Sequence, residues 1–165
     1  MSDKSLRRGA GTAFVGALVA VCALAAPAPV SAEWTGDAAR SGSRVVELVN
    51  AHRAEAGCGA LRPDGALDAA ADAHSAHLAE RRVLSHRGAG GSRVFQRARA
   101  AGYEAGRLGE TLADGHGDAA AVVDAWLGSP EHRDIILDCG YRDVGVGVTR
   151  GETSTWWVQV VGTRR

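Results

Sequence analysis

The hydrophobic period of this chain changes once, at Cys139, and that switch limits what it can fold into. Before Cys139 apolar residues recur at helical spacing in several separate stretches; after it they alternate in steps of two. The stretch "RVVELVNAHRAEAG" predicts a first helix, with Ser43 as N-cap and Gly57 as stop. Asp64 opens a second, in which Leu67, Ala70, Ala71, His74 and Leu78 form one stripe and arginines close the end. A shorter amphipathic helix is expected from Ser92 to Gly102, and "DAAAVVDAWL" reads as a helix capped by Asp118. Ser129-Pro130 starts another, Ser as N-cap and Pro at the first helical position. "YEAGRLGETLADGHG" reads as turn-rich, and "SHRGAGG" as a loop. "YRDVGVGVTR" and "TSTWWVQVVG" read as strands of a hairpin turning at Arg150 to Glu152. Helices followed by a terminal hairpin predict an α+β domain, its helices stacked on a small antiparallel sheet.

The first thirty-two residues read as a leader rather than as part of that domain. Lys4, Arg7 and Arg8 precede an apolar run from Ala13 to Ala26, then "PAPVSA" with small residues where a signal peptidase cuts. The run is too short and wrongly flanked for a membrane span. Cys22 lies within it, but Val21 before it is a poor fit to a lipoprotein signal. The expected mature chain is 33–165, one domain, monomeric, secreted and without a membrane span. It carries 16 Arg, no Lys and 18 Asp plus Glu. Those arginines read as spread among the acids without a basic block, which argues against nucleic acid. Cys58 and Cys139 remain, and an even number in an exported chain reads as a disulfide. Such a bond would close a loop of about 80 residues and contribute on the order of 4 kcal/mol in the chain-entropy picture.

The polar residues that amphipathic logic leaves over are His86, Glu110, His116, Glu131 and His132, all at element ends or in glycine-rich loops. His and Glu serve proton transfer near neutral pH and bind divalent metals. No HExxH, GxSxG or phosphate loop is present. Each candidate also has a plainer role: a loop anchor for His86, a turn-holding carboxylate for Glu110, packing on Trp126 for His132 and a helix-start charge for Glu131. Arg133 is expected to anchor its helix by pairing with an acid. His52, His74 and His77 read as ordinary helix-face residues. Trp126, Trp156 and Trp157 read as packing.

The order of the pieces resembles a known family. "LVNAHRAEAG", "LSHRG", "AAGY", "GETLADG", "AWLGSPEHRDIIL", "DVGVGV" and "WWVQVVG" follow one another as in the bacterial branch of the CAP superfamily. That superfamily holds cysteine-rich secretory proteins, insect venom antigens and plant pathogenesis-related proteins. The resemblance spans about Val45 to Gly162 and implies a three-layer α-β-α sandwich. It also implies a central cavity built on two His and two Glu. His86 matches the first His and Glu110 the Glu of the Gly-Glu-Asn pattern. The second Glu falls at Ser129, and the second His at Thr155 or Trp156, with Gln159 kept. Bacterial members carry Ser-Pro-Gly-His-Arg where this chain has "SPEHR", so His132 is expected to add a side chain to the cavity.

Two readings of function follow. The first is an extracellular binding module whose ligand is a lipid, a protein or a cell-wall component. The second is a hydrolase, with His86 and His132 holding zinc or another divalent ion and Glu110 as general base. A metal-free version has His86 as base oriented by Glu110.

Overall fold

The structure is a computed structural model and describes residues 30–165; the expected leader lies outside these but for its last three residues. Five α-helices and four strands follow in the order α1 (Val30–Glu55), β1 (Arg62–Pro63), α2 (Gly65–Arg81), α3 (Val94–Ala100), β2 (Ala105–Asp114), α4 (Ala119–Gly128), α5 (Pro130–Ile136), β3 (Asp143–Arg150) and β4 (Thr155–Arg164), with a 3₁₀ turn at Ala89–Gly91. The sheet has the order β1-β3-β4-β2; only the two-residue β1 runs parallel to its neighbour. Helices cover both faces, so the α-β-α sandwich is what the chain forms.

Alternation along the strands assigns the layers. Val144, Val146 and Val148 of β3 and Trp157 and Val161 of β4 pack with Val45 and Val49 of α1 and Val122, Val123 and Trp126 of α4. The opposite face holds Trp156, Val158 and Val160 with Leu67, Ala71 and Leu78 of α2 and Ala98 of α3. On that face β3 presents Gly145 and Gly147. A Cβ there would lie 2.1 Å from the Leu67 carbonyl carbon and 2.3 Å from that of Ala71. Helix α2 therefore rests directly on the β3 backbone. It is further tied there by the Asp64 N–H donating to the Val144 carbonyl at 2.9 Å and the Val146 N–H donating to Asp68 Oδ1 at 3.0 Å.

The α1 face is locked by a buried arginine. Arg53, fully buried, donates to the carbonyls of Gly59, Ile136, Asp138 and Tyr141 at 2.7 to 3.3 Å. It thereby joins the end of α1 to the end of α5. The expected disulfide closes the same junction: Cys58 and Cys139 are bonded, with Cα atoms 4.8 Å apart.

Three expectations are corrected. Helix α1 runs Val30–Glu55, and Ser43 is an exposed residue within it rather than its cap. The earlier turns dock on the sheet, Gly42 against Val146 and Asp37 paired with Arg150 at 2.8 Å, and these contacts outweigh the local cap signal. The "turn-rich" segment is mostly β2, a ten-residue strand paired with β4 along its length. Its glycines read as breakers, yet Gly109 is needed as a close approach: a Cβ there would sit 2.8 Å from Ile135 Cγ2 and 2.9 Å from Tyr141 Oη. Arg133 makes no ion pair with a carboxylate among the described residues.

Because α2 has no room to retreat, Gly147→Ala is expected to lower unfolding free energy by about 3 kcal/mol or more. Urea unfolding followed by tryptophan fluorescence checks this; a loss below about 1 kcal/mol would show that the helix and strand can separate cheaply.

Candidate functional site

Glu110 is where the polar residues of the second layer meet. It lies in the middle of β2, opposite Val160 of β4, on the face shared with Leu112. Its side chain is 4% exposed, and a buried carboxylate needs partners for both oxygens. Oε1 accepts from His86 Nδ1 at 2.7 Å, and Oε2 accepts from the Arg97 guanidinium of α3. Arg97, 9% exposed in its side chain, also donates to the carbonyls of His86 at 3.3 Å and Ser92 at 2.7 Å. One arginine thus holds both the carboxylate and the loop that carries its histidine.

The protonation pattern follows from these contacts. An ionised carboxylate only accepts, so His86 carries a proton on Nδ1 and turns its Nε2 edge outward; its side chain is 64% exposed. The bond to Glu110 raises the His86 pKa against the opposing effect of partial burial. His132, half-buried in the first turn of α5, is shifted the other way, by burial and then by the charge of His86. No hydrogen bond joins the two imidazoles. The two imidazoles are thus shifted in opposite directions, His86 toward its protonated form and His132, chiefly by burial, away from it.

Beneath the loop lies His74, 1% exposed on α2. Its Nε2 is 3.0 Å from the Ser85 carbonyl, which can only accept, so that nitrogen bears the proton. Nδ1 is then a buried lone pair without a partner. Burial, helped by the positive charge of Arg97, pushes the His74 pKa down to about 4. This corrects its reading as an ordinary helix-face residue: His74 is a neutral strut under the His86 loop.

The remaining candidates stand apart. The His116 carbonyl accepts from Trp157 Nε1 at 3.1 Å, and no hydrogen bond links its ring to the cluster. Glu131 is exposed in the first turn of α5. Ser129, where the family would have its second Glu, occupies the N-cap position of α5 without a side-chain cap bond. Gln159 lies on the opposite face of β4 and donates to Thr111 Oγ1 at 3.4 Å. Ser85 Oγ accepts from the Arg87 N–H at 3.0 Å, and no hydrogen bond joins it to the His86 ring. Among the described residues no three His, Cys, Asp or Glu side chains gather in a way that would hold a metal ion. Sequence reasoning missed Arg97, although a charged residue on the inner face of α3, between Val94 and Ala98, is itself a signal.

The sequence matches the family described as "Cysteine-rich secretory protein family", CAP, over residues 46–161. This chain belongs to the CAP family. It is 30% identical over 145 residues to "Uncharacterized protein YkwD" of Bacillus subtilis (strain 168), a match covering 84% of this chain and 56% of that protein. It is also 30% identical over 125 residues to "Uncharacterized membrane protein YlbC" of the same organism, covering 75% of this chain and 36% of that one. The chain therefore spans little more than half the length of the first relative and about a third of the second. Among solved structures, an extracellular protein containing a SCP domain from Bacillus anthracis str. Ames superposes with a TM-score of 0.76 at 21% identity, covering 86% of this chain and 45% of that one. An outer surface protein from Borrelia burgdorferi does so with 0.68 at 23% identity, covering 73% and 90%. These two share the CAP fold.

The two perturbed histidines make opposite contributions to stability. His86 has a raised folded pKa, so its contribution is full below the unfolded value near 6.5 and fades as pH rises through the folded one. Wild type is expected to exceed His86→Gln in unfolding free energy most below about pH 6.5, an advantage that fades as pH rises further. His74 has a depressed pKa, so the unfolded chain takes up its proton first, and stability falls between about pH 6.5 and 4 by roughly 3 kcal/mol. His74→Leu should lack that acid limb. Urea unfolding across pH separates the two; an unchanged acid limb in His74→Leu would mean that His74 titrates normally.

Proposed function

We propose that this CAP domain is an extracellular binding module whose contact group is the exposed imidazole of His86. The observation that carries the reading is the double engagement of Glu110. With one oxygen on His86 and the other on Arg97, the carboxylate fixes and charges the imidazole rather than activating a water. The free functional atom is His86 Nε2, a donor when the ring is protonated. It suits an anionic or acceptor group on a ligand. The export-signal pattern of residues 1–32 and the likeness in fold to an extracellular protein and an outer surface protein support an extracellular setting.

A hydrolase is the second reading, and one geometric feature favours it: a His with Nδ1 bonded to a buried carboxylate is the arrangement of an oriented general base. Zinc suits the site poorly. With Glu110 and His86 Nδ1 engaged, His86 Nε2 and His132 are the donors left, and zinc sites use three or four protein ligands.

One set of assays on the folded 33–165 chain tests both readings. Binding to a purified cell-envelope fraction is expected, with a loss of about tenfold or more in His86→Asn, which removes the charged donor. Zinc calorimetry and a nitrophenyl-ester screen should give no signal that depends on His86. Micromolar zinc binding lost in both His86→Ala and His132→Ala, or ester turnover lost in His86→Asn, would replace the binding module with the hydrolase.

A further inference from the structure

The stretch between α2 and the end of α3 differs from the rest of the molecule in both charge and polarity. Residues 80–99 hold six arginines and a single acid, Glu80, in a chain whose formal charge is zero. The absence of a basic block, read from the chain as a whole, does not hold here. The same stretch holds the large hydrophobic residues found exposed among the described residues: Val83 at 49%, Leu84 at 47% and Phe95 at 48%.

Local geometry explains how Val83 and Leu84 come to face solvent. Arg82 adopts a left-handed conformation, φ 52°, and ends α2; the Val83 N–H closes the helix by donating to the Leu78 carbonyl at 3.3 Å. The chain then leaves the helix with Val83 and Leu84 outside the core and at once becomes anchored. Ser85 is held by His74, His86 by Glu110 and Arg97, and the Gly88 N–H donates to the Ser92 carbonyl at 2.8 Å. The two apolar side chains therefore form a tip on a firmly held loop. Arginines flank it on both sides. Arg82 pairs with Glu152 at 2.5 Å, whereas Arg81, Arg87 and Arg93 are exposed and have no carboxylate partner among the described residues.

We propose that this loop is a docking surface for an anionic lipid bilayer, with Val83 and Leu84 entering the interface and Arg81, Arg87 and Arg93 meeting lipid phosphates. The chemistry of the patch selects this partner. Cationic side chains alone would suit any polyanion, but an apolar tip gains only where hydrocarbon is available beside the phosphates. Guanidinium groups match phosphate oxygens two at a time, and an anionic surface draws them from a distance set by ionic strength. A bilayer bound there lies beside His86, whose loop carries the tip. The inference does not depend on what His86 itself binds.

The test is sedimentation of the folded 33–165 chain with vesicles of phosphatidylcholine containing about a third phosphatidylglycerol, against phosphatidylcholine alone. Binding to the anionic vesicles only is expected, and it should fall sharply in about 0.5 M salt. The surface pair Val83→Ser/Leu84→Ser and the triple Arg81→Gln/Arg87→Gln/Arg93→Gln should each lose about tenfold or more in partitioning, with far-UV circular dichroism unchanged. Vesicle sedimentation and the cell-envelope assay are read separately, so failure here and failure of the binding-module reading remain distinct. Absence of binding to anionic vesicles overturns the proposal. So does binding that survives Val83→Ser/Leu84→Ser and is matched by soluble polyphosphate, since that describes adherence to polyanions without a bilayer.

Discussion

The contact on which the rest of the structure depends is the backbone-to-backbone approach of α2 and β3. Gly145 and Gly147 remove two side chains from one face of the strand, and the carbonyls of Leu67 and Ala71 occupy that space. The valines between them fill the opposite face, so one alternating strand serves two different layers. Depth follows from this. A helix seated so low brings His74 beneath the loop that leaves its C-terminus, and the Ser85 carbonyl finds its donor there. A side chain at either glycine would lift α2 and the site loop with it.

From that seat the residues of the candidate site are assembled by satisfying one buried charge. Glu110 enters from a strand, His86 from the loop after α2 and Arg97 from α3. Each is held because a carboxylate at 4% exposure is costly without partners. The arrangement divides the histidines by charge. His86, on the carboxylate, is drawn toward the protonated form, while His132 and His74 are kept from it by burial and by neighbouring positive charge. One donor therefore faces solvent, on a loop that the protein does not let move freely. The opposite layer has its own lock, Arg53 and the Cys58–Cys139 bond, which closes the far side of the sheet. The site loop and the junction of α1 with α5 are thus secured by separate interactions.

Sequence alone determined a good deal. Alternation in "DVGVGV" and "WWVQVVG" marked the hairpin, Ser129-Pro130 placed the start of α5, and Asp64 and Asp118 cap their helices as their positions imply. Pairing two cysteines required no geometry, and the order of seven short motifs was enough to identify the family and to single out His86 and Glu110. These are local or combinatorial signals, written in residue type and spacing. Tertiary structure decided what depends on contacts between distant residues. It made a strand of the glycine-bearing segment around Glu110, because β4 pairs with it and Tyr141 needs the space at Gly109. It extended α1 past Ser43, because the sheet holds its earlier turns. It brought Arg97 and His74 into the site, where each had read as one more residue on a helix. The physical reason is common to all of these. Burial and desolvation are set by what arrives from elsewhere in the chain, and no window along a sequence contains that information.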